Sequence, residues 1–280
     1  MAGTATESIV EALPASERCL RPEPVVWPFR ELIRDDEHYD RQLLMSHLCA
    51  YRLAATLGRG RRMLEVGCGS GYGAYYLAHM ASRMTAVDLD AQAIERAQGL
   101  FRRSNLEYQA MDGRGLGLPD ASFDVVGTFQ VIEHIPELQL SAFVRELSRV
   151  LAPDGVVVIS TLNLERNRKP GRPYEKPSFH EKEFTAPELR ELLAGVFPVV
   201  ELRGLYPAPR HRMMLRLKRW GIDRLGPASA NPVRRFYDQQ LNTDDHRLRR
   251  SCSPQAIDLM ALCALRPRAF PATWEPEGPA

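Results

Sequence analysis

Three carboxylates, Glu65, Asp88 and Asp112, stand 23 and 24 residues apart, each closing a short apolar segment. If those segments are neighbouring strands of one sheet, the three acids face a single crevice. Such a crevice repels an anionic ligand and accepts one that offers a positive charge, a diol and an amine. Directly after Glu65 the order Val66-Gly67-Cys68-Gly69-Ser70-Gly71 places glycine at every second position. Glycine is needed there because the turn requires positive φ and because a ligand must approach closer than a Cβ permits. Further on, Glu133-His134 and His180 bring groups of another kind. An imidazole that titrates near neutrality can take a proton from a phenol or another hydroxyl.

These residues require elements to hold them. Met63 to Val66 reads as a buried strand, and an Ala- and aromatic-rich helix from Ala74 to Ala81 follows the glycines, a strand, tight turn and helix start. That helix points free N–H groups into the crevice. Arg83–Asp88 is a second strand, and Asp90 caps a helix over Ala91–Arg103. Leu106–Ala110 is the third strand and Met111-Asp112-Gly113 its end. The fourth runs from Phe123 to about Gln130 and the fifth is Val156–Ile159, after a turn at Ala152-Pro153-Asp154-Gly155. Asp88 lies where a doubly wound fold places the carboxylate that receives a ribose. Apolar residues from Glu37 to Leu57 recur at helical spacing. Tyr39, His47 and Tyr51 on that helix either line the crevice or face solvent.

The order Glu65-Val66-Gly67-Cys68-Gly69-Ser70-Gly71, with Asp88, Asp112-Gly113, Phe123-Asp124-Val125-Val126 and Val131-Ile132-Glu133-His134-Ile135 in register, resembles class I S-adenosylmethionine (SAM) methyltransferases of the small-molecule branch. The resemblance spans about Leu43 to Leu205. It implies an α/β, doubly wound, Rossmann-like sheet of seven strands, parallel except for one antiparallel edge, and SAM as methyl donor. Glu65, Gly67, Cys68, Gly69, Gly71, Asp88, Leu89, Asp112, Gly113 and Gln130 would surround the donor, with Glu65 on the methionyl end and Asp112 on the adenine amine. Glu133, His134 and His180 would be the catalytic candidates. Ubiquinone-type relatives carry a metal-binding glutamate three residues before the Glu-His pair. That position is Gln130 here, so no metal is expected. His180 ahead of Glu183-Phe184-Thr185 resembles a sugar and natural-product branch, with Thr185 and Glu188 forming a helix cap.

The 280 residues, 44% hydrophobic and 26% charged, suit one domain with additions. Residues 1–24 read as a flexible arm, 25–206 as the SAM-binding core, 207–253 as a basic helical insertion over the substrate, 254–266 as the last strand and 267–280 as a disordered tail. Val199–Tyr206 is the sixth strand and Ala256–Ala264 the seventh. Five scattered cysteines without a C-x-x-C pair suggest reduced thiols and no zinc. The absence of a long apolar window, with Glu7, Glu11 and Glu17 near the start, points to a cytoplasmic protein without a transmembrane segment.

A net charge of +2 and the lack of an Asn/Asp-Pro-Pro-aromatic run at the fourth strand end argue against nucleic acid. The expected acceptor is a small molecule, anionic or polyhydroxylated, because the insertion is dense in arginine. Its Met213-Met214-Leu215-Leu217-Trp220 segment also suits peripheral membrane contact. Two other readings stand beside this one. A nicotinamide oxidoreductase shares the fold but leaves Glu65 and Asp112 unexplained, and a non-catalytic SAM-binding protein needs no substrate cover.

Overall fold

A computed structural model describes residues 41–168, 171, 173–227 and 229–272. The expected arm over 1–24, the aromatic residues after it and Tyr39 lie outside the described residues, as does the tail beyond Ala272. The described part is an eight-stranded sheet in the order β3-β2-β1-β4-β5-β8-β6-β7. The strands are β1 (Arg62–Val66), β2 (Arg83–Asp88), β3 (Leu106–Ala110), β4 (Phe123–Phe129), β5 (Leu151–Leu162), β6 (Val199–Pro207), β7 (His246–Arg249) and β8 (Asp258–Ala264). β1 to β5 pair in parallel, whereas β8 runs antiparallel between β5 and β6. The order reverses beside β1, so the carboxyl ends of β1 and β4 open onto the crevice where such sheets bind ligands.

Two strand readings change. β7 comes from within the segment expected to be helical and pairs antiparallel with β6, from Gly204↔Arg249 to Pro207↔His246, which gives the sheet its eighth strand. The turn expected at 152–155 lies within β5 as a bulge, because Phe123 pairs with Leu151 and Val125 with Val156. Both differences have one cause: the Arg-rich edge strand β7 and the Pro-Gly start of β5 are held by a neighbour's ladder and not by their own propensity.

Alternation along the strands sorts their side chains onto two faces. Leu64, Val66, Val126, Val157, Ile159 and Ala261 join a core with helices α4 (Leu140–Val150) and α6 (Ala186–Ala194). The alternate residue Glu65 meets Tyr51 of helix α1 (Arg41–Gly58). Helices α2 (Tyr72–Ala78) and α3 (Ala91–Leu100) complete the first crossovers, and Asp90 caps α3 by accepting from the Gln92 N–H at 2.8 Å. At α6, Thr185 and Glu188 close a full capping box. Thr185→Ala is expected to lower stability by about 1 kcal/mol, read as a shift in the urea midpoint at unchanged slope; no shift would show that the cap is idle.

The remaining elements are α5 (Leu164–Asn167), a single turn capped by Asn163, then α7 (Pro209–Arg219) and α8 (Pro232–Arg235). The segment 207–253 is pinned to α1. Arg41 Nε donates to the Leu241 carbonyl at 2.8 Å, and Arg52 Nη1 donates to Thr243 Oγ1 at 2.6 Å and Asp244 Oδ1 at 2.8 Å. Residues 267–272 are ordered against the body and not free: Arg268 donates to the Asp154 carbonyl and Phe270 is buried. Among the described residues no helix is long and apolar enough to cross a membrane.

Candidate active site

Gly67, Gly69 and Gly71 all adopt positive φ, at 81°, 51° and 84°. The Gly67 and Cys68 N–H groups donate to the Val87 carbonyl at 2.8 and 3.0 Å, which fastens the turn to β2. A Cβ on Gly67 would collide with Val131, so the glycine turn packs directly on the segment after β4. A Cβ on Gly69 would meet no atom within 4 Å, so the turn is open to the crevice there. Asp88 shapes this cradle: its Oδ2 accepts from Gly69 N–H at 2.7 Å and its Oδ1 from Asp90 N–H at 2.9 Å. A carboxylate offers about four lone-pair positions, which leaves two for a diol.

Glu65 is fully buried, and its Oε1 accepts from the Tyr51 hydroxyl at 2.5 Å while Oε2 has no partner. Burial pushes its carboxyl up to about 8, against the Tyr51 hydrogen bond, with the Asp88 charge adding to the rise. The Tyr51 ring lies on Gly73, where any Cβ would overlap it, and is 4.4 Å from the Phe129 ring centroid and 5.6 Å from that of Tyr72. His47 approaches the Tyr72 hydroxyl at 3.4 Å. Gln130 is held at φ 54°, a conformation uncommon for a residue other than glycine, and its buried Nε2 has no partner. Strain of this kind concentrates at functional sites.

Asp112 is engaged by a neighbour: it accepts from Arg114 N–H at 2.9 Å and Arg114 Nε at 2.7 Å, which holds its carboxyl below the usual range. An adenine amine would share that carboxylate with a guanidinium. Gly113 is a glycine for packing reasons, since a Cβ would strike Val66 and Phe143. Leu89 is largely exposed. Cys68 is buried, and burial pushes its thiol up and away from the reactive thiolate.

The second constellation sits after β4 and β5. Ile132–His134 forms a 3-10 turn in place of the opening of α4. The Glu133 carbonyl accepts from the Glu181 and Lys182 N–H groups at 2.7 and 3.1 Å, drawing the 180–184 segment onto this turn. Glu133 is buried, its Oε2 accepts from Thr161 Oγ1 at 2.9 Å, and burial pushes its carboxyl up to about 7. His180 Nδ1 lies 2.7 Å from Glu183 Oε1, and Glu183 also accepts from the Tyr174 hydroxyl. His134 Nδ1 lies 2.9 Å from the Phe179 carbonyl. Because a carbonyl or carboxylate only accepts, Nδ1 carries a proton in each ring, and in the neutral imidazole the lone pair is then on Nε2.

The two imidazoles are 5.1 Å apart between centroids. Ligand atoms of Glu133, His134 and His180 lie within 4.8 Å of one another, a set with metal-ligating composition. The three catalytic candidates are thus brought together from segments 46 residues apart in sequence. A cleft of about 550 Å³ is lined by Arg166, Asn167, Tyr174, Pro254 and Gln255, and Tyr174 connects it through Glu183 to His180.

Thr161 and Tyr174 are the parts of these constellations that the sequence does not single out. Of the two readings of Tyr51, lining the crevice or facing solvent, the structure shows it buried on Glu65; Glu183 enters the sequence reading only as part of the motif after His180, and Thr161 sits in a buried strand. Glu183 follows His180 by three residues, a spacing that brings two side chains together once the segment turns; that was the available signal.

Residues 64–159 match the family model described as a methyltransferase domain. A probable S-adenosylmethionine-dependent methyltransferase of Mycobacterium tuberculosis is 40% identical over 169 residues, 60% of each chain. The malonyl-[acyl-carrier protein] O-methyltransferase of Erwinia billingiae is 32% identical over 134 residues, 47% of this chain and 52% of that one. The chain therefore spans no more than about 60% of the length of these curated relatives. Among solved structures, a SAM-dependent methyltransferase of Thermotoga maritima, described as a possible histamine N-methyltransferase, superposes with a TM-score of 0.55 at 14% identity. It covers 85% of this chain and 98% of its own, a likeness of fold. Together with the crossover order of the sheet, the glycine turn and the acids at its strand ends, that match makes residues 64–159 a methyltransferase domain on a Rossmann-like sheet.

Proposed function

We propose that this protein transfers the methyl group of SAM to an oxygen of a small-molecule acceptor. The observation that carries the reading is Glu65: a buried carboxylate at the end of β1 with one oxygen unpartnered, beside a glycine turn that is open at Gly69. An unpaired buried carboxylate is costly unless a cation or donor meets it. The methionyl ammonium of SAM fits Glu65 Oε2, the ribose diol fits the two remaining positions on Asp88, and the unpartnered Gln130 amide supplies a donor at the end of β4. When bound, SAM supplies a methyl group already activated by a positive sulfur, so the protein's task is mostly alignment. A dinucleotide pyrophosphate in this cradle would face Glu65 and leave Asp112 without a role, which disfavours the oxidoreductase reading.

His180 Nε2 takes the acceptor's hydroxyl proton while Glu183, itself steadied by Tyr174, holds the ring and stabilises the imidazolium as it forms. The acceptor enters by the cleft at Tyr174, where the Arg166 guanidinium favours a carboxylate, phosphate or polyhydroxylated group. The segment 207–253, fastened to α1 by Arg52, forms the cover of this site. Arg210 has a different role from its neighbours, since it is tied to Gln240 and Asp245 inside that segment. The O-methyl chemistry of the Erwinia relative supports an oxygen acceptor.

A second reading, metal-assisted transfer, is favoured by the closeness of Glu133, His134 and His180. The test is turnover of methyl-labelled SAM against phenols, sugars and carboxylic acids, with and without a strong chelator. Transfer that persists under chelation is expected; loss restored by magnesium would assign these three residues to an ion. Calorimetric binding of NAD in preference to SAM would overturn the reading altogether.

A further inference from the structure

Helix α7 carries two apolar stripes, and only one of them is used by the fold. Its inner side is fixed by His211, which is fully buried with its ring 5.2 Å from His246, 5.8 Å from Phe236 and 5.8 Å from Tyr237. At about 100° per residue, Met213, Leu217 and Trp220 fall within about 60° of one another on the side turned away from His211. Met213 is 51% exposed and Trp220 75%, and Leu225 just beyond is 62% exposed. Single exposed apolar residues are ordinary, but an aligned set on one helix is not.

The charges around this stripe have one sign. From Pro209 to Leu225 the chain carries Arg210, Arg212, Arg216, Lys218, Arg219 and Arg224 against Asp223 alone. Arg210 and Lys218 are occupied inside the segment, over the rings of Phe236 and Tyr237. Arg212, Arg216, Arg219 and Arg224 are exposed and have no carboxylate partner among the described residues. The exposed Met213 and Trp220, with half-buried Leu217 between them and unpaired arginines alongside, suit a headgroup layer, into which the apolar side chains dip while the guanidinium groups stay at the phosphates. A second copy of the same surface would set arginine against arginine.

The geometry points to α7, with the turn through Leu225, as a docking surface for an anionic lipid bilayer, the protein lying on the membrane and not spanning it. This surface is the side of α7 turned away from His211, and its use does not depend on the proposed transfer. It would bring the protein to acceptors held at that interface.

The test uses the full chain and vesicles of phosphatidylcholine, alone or with about 30% phosphatidylglycerol, in a flotation assay. Binding only to the anionic vesicles, reversed by high salt, is expected. Arg212→Ala, Arg216→Ala and Arg219→Ala together should lower the partition coefficient at least tenfold, since each basic residue at such a surface contributes about fivefold. Trp220→Ser with Met213→Ser should lower it while leaving the salt dependence in place. Tryptophan emission should shift to the blue on binding in the parent protein and not in Trp220→Phe. Failure to float with anionic vesicles, equal binding to neutral ones, or unaltered binding by the arginine variant with normal circular dichroism overturns the proposal. So does self-association in sedimentation that the same substitutions abolish without any vesicle binding.

Discussion

Glu65→Gln is expected to weaken SAM binding by on the order of 1.5–3 kcal/mol, or tenfold and upwards, while making the ligand-free protein more stable at alkaline pH. The two effects have one origin. Burial raises the Glu65 carboxyl from its ordinary 4.5 to about 8 in the folded protein. Between those values the folded chain holds a proton that the unfolded chain has released, and each pH unit costs about 1.4 kcal/mol of stability. Stability therefore falls as pH rises from about 4.5 and levels off above about 8. Glutamine keeps an oxygen for Tyr51 and has no proton to lose. The variant should match the parent near pH 4 and exceed it by about 2–4 kcal/mol at pH 9, measured by chemical unfolding.

Pairing with an ammonium group demands the ionised form, so SAM binding at pH 7 should release close to one proton in the parent and none in the variant. Titration calorimetry in buffers of different ionisation enthalpy reads this directly. An unchanged affinity for SAM in folded Glu65→Gln would remove the carboxylate from the donor site.

His180→Ala is expected to lower kcat by 10²–10⁴-fold with SAM affinity within about twofold. His134→Ala should cost less. The difference lies in their partners: His180 Nδ1 rests on the Glu183 carboxylate, which stabilises a forming imidazolium, whereas His134 Nδ1 reaches only a carbonyl. Glu183→Gln should act through His180, lowering kcat by about tenfold or more with little change in KM and moving the acidic limb of the pH–rate profile to lower pH. Glu183→Asp should recover part of the loss. A larger loss from His134→Ala than from His180→Ala would exchange their roles. Equal small losses from both would mean that alignment alone drives transfer.

The crevice proposed for the donor was legible in the sequence as a set of strand ends because its parts are local. Glu65, the alternating glycines, Asp88 and Asp112-Gly113 each lie at a strand end, and strand and turn signals are short-range physics: a period of two, and positive φ at Gly67, Gly69 and Gly71. The helix caps at Asp90 and Thr185 were readable for the same reason.

What the tertiary structure decided is everything that depends on which side chain arrives opposite. No spacing announces that Tyr51, from a helix before the first strand, closes onto Glu65, or that Arg114 occupies Asp112. The eighth strand exists because the ladder of β6 captures His246–Arg249, a segment whose own composition favours no strand. His134 and His180 become one site only through the backbone bonds from Glu181 and Lys182 to the Glu133 carbonyl. Local propensity is written along the chain, but partners are chosen by packing, and the meeting of α1 with β1 and of segment 180–184 with the turn after β4 sets the chemistry of this crevice.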